Sequence, residues 1–280
     1  MPTISSIDYP EYIQRVNHKW SIILILIAFL LLTSHFSFIH SISPLEQAQM
    51  DYSFQLTKLS DAHQKFITSK ATYQTYKTAL AKNEAFSKTK DYFLQTHKVY
   101  LSYLFLVEER TNIFDWSLST FKKNDAHTQI EKEAEYIKTS LEKAQNIQTL
   151  EEIQFNSSLL EDHINQALIP TVAKTLSTAD VAQVEDSLGS FNLTSQKIDT
   201  YAKDKIKDSD RTLYQNWQSE VENIKNQLTL QIADYKKTLG AANINYFSNT
   251  NQSPIKTFKQ NSQKTLDGAK NILYEILNFI

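Results

Sequence analysis

The sequence predicts an all-α protein: one N-terminal transmembrane helix, then an elongated antiparallel helical bundle of coiled-coil-like hairpins. Three observations predict it. The chain of 280 residues holds 3 glycines and 5 prolines, where average usage gives roughly 20 and roughly 14. Residues 20 to 39 are uncharged and mostly apolar, and beyond them apolar residues recur at helical spacings. Sandwiches, barrels and α/β folds need frequent turns or Gly-rich loops, so scarce turn residues favour long helices, about six to seven of them.

The anchor reads WSIILILIAFLLLTSHFSFI, from Trp20 to Ile39. At about 1.5 Å per residue it spans roughly 30 Å, the hydrocarbon thickness of a bilayer. Lys19 and Trp20 lie at its first edge, where a cation and an amphipathic ring prefer to sit. Arg15 and Lys19 precede it and the first lysine after it is Lys58, so residues 1–19 form a short cytoplasmic tail and the rest lies outside. The lipid bilayer is therefore one partner, through Trp20 to Ile39. The competing reading is a cleaved signal peptide on a secreted helical protein. Against it stand the long leading region, the lack of an A-x-A pattern and Pro44 directly after Ser41-Ile42-Ser43.

Ser43-Pro44-Leu45-Glu46 combines a preferred N-cap, proline at the first helical position and glutamate at the third. Leu45, Tyr52, Leu59, Phe66, Tyr73 and Leu80 then repeat every seven residues, beside Ala48, Gln55, Ala62, Ser69 and Tyr76. A strict heptad implies a supercoiled partner helix. After a turn at Ala81-Lys82-Asn83-Glu84, a second seam runs Phe93, His97, Tyr100, Leu104, Val107, Thr111, Phe114, Leu118 and Phe121. Leu94, Leu101, Phe105 and Trp116 widen its stripe and make it the expected central helix. Its apolar run from Val99 to Val107 is too short for a second span.

A third helix is expected after Asn124-Asp125, on Ile130, Ala134, Ile137, Leu141 and Ala144. Pro170 marks a kink or break. Past it, Val181, Val184, Leu188, Phe191, Ile198 and Ile206 form one helix that tolerates Gly189. Leu213, Trp217, Val221, Ile224, Leu228, Ile232, Tyr235 and Leu239 form another, of eleven-residue period, capped at Gly240. The Asn-rich stretch 241–252 is the one long loop, and Ser253-Pro254 opens a last helix ending on Ile272, Leu273, Ile276, Leu277 and Ile280. The domain division that follows is a tail at 1–19, an anchor at 20–40, a helical bundle at 41–169 and a second helical layer or bundle at 170–280.

Chemistry is sparse. Without cysteine there is no disulfide, thiolate metal site or catalytic thiol. The 29 basic and 31 acidic residues are spread without a basic stripe, which argues against nucleic acid. No Glu-x-x-His or His-Glu-x-x-His spacing occurs, Glu161 and His163 are two apart and so diverge on a helix, and Gly-rich phosphate loops are absent. No cofactor, metal or catalytic residue is assigned. The polar residues out of place are His97 and Thr111, on an apolar seam. They are read either as satisfied core residues that set register, or as a small polar pocket where a ligand or proton is sensed.

The sequence thus points to a non-catalytic binding or scaffold protein of the cell envelope, held by one membrane pass and acting through a protein partner or a second copy. The alternative is a sensory ectodomain binding small ligands between helices and signalling through a membrane partner. In architecture that alternative is similar to the four-helix sensor modules of chemoreceptors.

Overall fold

The computed structural model describes residues 42–203, 205–241 and 254–279. The anchor segment and tail lie outside the described residues, as does most of the Asn-rich stretch. Residues Pro44 to Ile280 cluster as one compact unit, apart from Met1 to Ser43. The described residues are all-α: α1 (Pro44–Tyr76), α2 (Ala79–Asn112), α3 (Lys123–Gln145), α4 (Leu150–His163), α5 (Ile169–Lys203), α6 (Arg211–Ala241) and α7 (Pro254–Phe279). None of the described helices is long and apolar enough to cross a membrane.

Helix α1 starts at Pro44, where the cap signal puts it, and runs 33 residues, about 50 Å. Its heptad faces α2: Ala48 and Ser69 are buried and Tyr52, Leu59, Phe66 and Tyr73 half-buried. Tyr52 meets Tyr103, Gln55 meets Gln95 and Phe66 meets Tyr92. One number rises as the other falls, so the pair is antiparallel.

The turn comes earlier than the heptad suggests. Lys77 takes a left-handed conformation, φ 49°, and Thr78 caps α2 by accepting from the Ala81 amide at 3.2 Å. Leu80, expected on the α1 seam, therefore sits in the first turn of α2 and is 79% exposed. Tyr76 is exposed as well. A left-handed non-glycine residue leaves no composition signal, which is why this turn was hidden.

The α2 seam holds from Phe93 to Thr111 and then stops, because the helix ends at Asn112. Two side chains stabilise the stop. The Trp116 indole donates to the Thr111 carbonyl at 3.2 Å, filling an acceptor that a helix end leaves open, and Asp115 accepts from the Ser117 amide at 2.9 Å. Phe114, Leu118 and Phe121 belong to the connection 113–122 and not to a helix. Within the bundle α2 is central, touching α1, α3, α4 and α5.

Helix α3 returns along α2, with Thr111 opposite His127, His97 opposite Ser140 and Lys90 opposite Ile147. Its expected seam is correct: Ile130, Ile137 and Ala144 are buried, Ala134 and Leu141 half-buried. Helix α4 opens on Thr149, which accepts from the Glu152 amide at 3.1 Å while Glu152 accepts from the Gln148 amide at 2.8 Å. The two bonds resemble a capping box, with the glutamate reaching one residue beyond the cap, to the Gln148 amide rather than that of Thr149.

Pro170 breaks nothing. Residues 150–203 are helical throughout, and Ile164–Leu168 form a π-helical turn just before the proline. Proline lacks the amide that would bond the carbonyl four residues back and clashes with it. A widened turn relieves both problems while keeping the helix running. The expected division at residue 170 thus falls inside a continuous helical run.

Helices α5 and α6 are antiparallel, with Asp199 near Tyr214 and Glu185 near Lys236. The α6 seam holds from Trp217 to Leu239, but Tyr214 is buried where Leu213 was expected. Gly240 lies in the last turn of α6, one residue before its end at Ala241. Helix α7 packs back along α6, Phe258 against Tyr235 and Phe279 against Trp217. Ile272, Leu273 and Ile276 are buried, whereas Leu277 faces out.

The described residues form four buried clusters. The first joins Leu104, Val107, Ile130, Ile137, Leu160 and Leu168 of α2 to α4 and the π turn, while two more join α5, α6 and α7, one around Phe191, Tyr214, Val221 and Ile272 and one around Val181, Val184, Ile232, Tyr235 and Phe258. A fourth cluster gathers Trp116, Ala126, Ala179 and Ala182. Gly189 of α5 allows close approach of the connection 113–122: a Cβ on it would lie 2.7 Å from Leu118 Cδ1.

Candidate binding clefts around a π-helical turn

The π turn is held from both ends by one carboxylate. Glu133 of α3 accepts from His163 Nε2 at 2.7 Å, just before the turn, and from Thr171 Oγ1 at 3.5 Å, just after it. The His163 ring stacks on Tyr136, centroids 3.4 Å apart and planes 11° from parallel. A carboxylate accepts only, so Nε2 carries the proton in this bond. These side chains fix an irregular backbone, of the kind that recurs at functional sites.

Two clefts open beside this fixed turn. The larger, about 590 Å³, lies between α2 and α4 and reaches Ile164, Asn165 and Ile169; Phe66, Tyr92 and Tyr100 supply its aromatic wall and Glu161 its rim. The other, about 430 Å³, begins at Pro170 and Thr171 and is bounded by Phe121, Asp125 and Lys174. Such volumes suit small ligands or single side chains of a partner.

Two more clefts lie away from the turn. One of about 420 Å³ on the α1–α2 hairpin carries Lys58, Lys65, Lys88 and Lys98 with Asp61 and Asp91. One of about 210 Å³ between α5 and α6 contains Asp199, Tyr214 and Gln218. There the Tyr214 hydroxyl donates to Asp199 at 2.8 Å, Lys203 pairs with Asp199 at 2.9 Å and Gln218 also bonds it. Burial opposes ionisation of Asp199, but the bonds from Lys203, Tyr214 and Gln218 outweigh it and hold the carboxyl below its usual range. Burial and the Asp199 carboxylate together push the Tyr214 phenol up.

A second carboxylate secures the connection 113–122. Glu185 accepts from Ser119 Oγ at 2.7 Å, from the Thr120 amide at 3.1 Å and from Lys236. Burial would raise this acid, yet the bonds from Lys236, Ser119 and Thr120 leave it below the ordinary glutamate value.

His97 and Thr111 are each fully enclosed, and they do not meet. Fourteen residues on one helix separate them by about 21 Å. His97 Nδ1 lies 2.8 Å from the Phe93 carbonyl and Nε2 lies 2.9 Å from Ser140 Oγ. A carbonyl only accepts, so Nδ1 donates and Nε2 accepts from the serine. Burial lowers the His97 pKa, partly offset by the Phe93 bond. Thr111 donates to the Glu108 carbonyl at 2.7 Å and lies 3.2 Å from His127 Nε2. Neither residue lines any of the four clefts.

Sequence spacing places Phe66, Phe93 and Tyr100 on helical seams but carries no sign that they line a cleft. Glu133 and His163 are 30 apart on different helices, so no local spacing pairs them; Pro170 was the one visible signal, and it lies beside them. Among the described residues, no three His, Asp or Glu side chains gather as a metal set. Comparison with protein families, with curated proteins and with solved structures gave no match, so a functional reading rests on the chain's own geometry.

Proposed function

We propose that this chain is a membrane-anchored, extracytoplasmic helical bundle of the cell envelope that works by binding a partner, without catalysis, through the cleft between α2 and α4. The observation that carries the reading is that cleft: an aromatic-walled opening of about 590 Å³ beside a π turn pinned by Glu133. An irregular turn stabilised by part-buried polar bonds holds a binding surface ready for its occupant. The anchor is supported by the uncharged run from Trp20 to Ile39 and its orientation by Arg15 and Lys19. The cleft's volume also favours the sensory alternative, in which a small ligand enters and a membrane partner carries the signal.

The test is affinity capture of the full-length chain from native membranes in mild detergent, wild type beside Ser157→Trp. Ser157 lines the cleft and is exposed, so tryptophan fills the opening without entering the core. A partner recovered with wild type and lost with Ser157→Trp supports the reading. An identical set of proteins with both variants refutes the cleft as the binding surface, and release of the chain from membranes by alkaline carbonate refutes the anchor.

A further inference from the structure

The four clefts differ in charge. Three count at least one lysine in their walls, whereas Glu161 alone is charged among the residues lining the α2–α4 cleft. Its remaining wall is rich in ring surface. Phe66 and Tyr92 lie parallel, 5.5 Å apart and 7° from coplanar stacking, and Tyr100 follows Tyr92 two turns along α2. Ring faces carry negative quadrupole potential, and a carboxylate at their edge adds a full charge of the same sign. Burial, then Tyr92, Tyr52 and Glu161, push the Tyr100 phenol up. Burial, the larger part of that effect, disfavours a charge of either sign, so attraction for a cation comes from the ring faces and the Glu161 carboxylate. Lys70 Nζ, one turn from Phe66 on α1, lies 5.7 Å from the Phe66 ring centre.

We propose that the α2–α4 cleft recognises a small organic cation of the alkylammonium class, its head against the rings of Tyr92 and Tyr100 and its charge matched by Glu161. This rests on the reading that the chain binds at this cleft and is independent of the anchor. An alkylated ammonium suits the site because it is weakly hydrated and keeps its charge at any ordinary pH, so ring faces replace its water at small cost. Lys70 acts as a resident competitor on the Phe66 side.

The experiment is titration calorimetry on the full-length chain in a maltoside detergent, which carries no ammonium group. The probes are choline and its uncharged isostere, in which a tert-butyl group replaces the trimethylammonium group. Choline is expected to bind roughly tenfold more tightly than the isostere. Glu161→Gln, at an exposed position, should erase most of that preference, Lys70→Gln should strengthen choline about twofold, and Ser157→Trp should abolish binding. Equal affinity for the two probes overturns the proposal, as does choline binding that ignores both Glu161→Gln and Ser157→Trp. A partner captured through the cleft by a chain that shows no preference for choline overturns the cation while leaving the binding reading standing.

Discussion

Acidifying the protein should expose His97. The side chain has no exposed surface, and burial holds its pKa below the ordinary 6.5, whereas the unfolded chain titrates near that ordinary value. Below pH 6.5 the unfolded state therefore takes up a proton that the folded state refuses. Stability from this group is complete above about pH 6.5 and falls with pH until the lowered folded value is passed, at up to about 1.4 kcal/mol per pH unit. His97→Leu removes that dependence. At neutral pH the variant loses the Ser140 bond, but Ser140 is half-exposed and can turn to water, so the two chains should differ by only about 1 kcal/mol. The assay is urea unfolding of the full-length chain, followed by far-UV circular dichroism, at steps from about pH 7.5 to about pH 5. Wild type should lose more stability than His97→Leu below about pH 6.5, by at most about 1.4 kcal/mol for each pH unit. The other histidines are common to both chains and cancel. Parallel pH profiles would refute the reasoning, because they would mean that His97 titrates alike in the folded and unfolded states.

Three further perturbations test the fold. Lys77→Gly should stabilise by about 0.5 to 1 kcal/mol in the same unfolding assay, since glycine relieves a left-handed residue; loss of about 1 kcal/mol would mean that position 77 lies inside a helix. Trp116→Phe keeps the ring but removes the donor to the Thr111 carbonyl, and should cost about 1 kcal/mol. Glu185→Ala strands Lys236, Ser119 and Thr120, and should cost about 2 to 3 kcal/mol. Limited proteolysis should then cut first between Ile113 and Lys122; unchanged cleavage would contradict Glu185 as the anchor of that connection.

The helical pattern exposed some parts of this fold and hid others for identifiable reasons. The seams of α1 and α3 were legible because one face of each helix is apolar at a fixed period. The stop at Asn112 was not, since Phe114, Leu118 and Phe121 prolong the helical rhythm past the helix itself, although only Phe114 and Phe121 are half-buried there. The turn at Lys77-Thr78 uses neither glycine nor proline. Pro170 was visible as an irregularity, yet its outcome depended on a π turn and on Glu133, a residue whose pairing with His163 exists only once α3 lies beside α4. His97 and Thr111 were rightly seen as buried on the α2 seam. The clefts were illegible because Phe66, Tyr92 and Glu161 come from three helices whose mutual register no local pattern encodes.

The central claim is that a bundle fixed to a membrane at residues 20–39 works outside the cytoplasm. Its most direct measurement joins a reporter enzyme that is active only outside the cytoplasm to the C-terminus of the full-length chain, and assays carbonate-washed membranes. A bundle anchored in this way retains reporter activity in the washed membrane pellet. Activity recovered in the wash, or an inactive reporter on a chain that remains in the pellet, would contradict the claim.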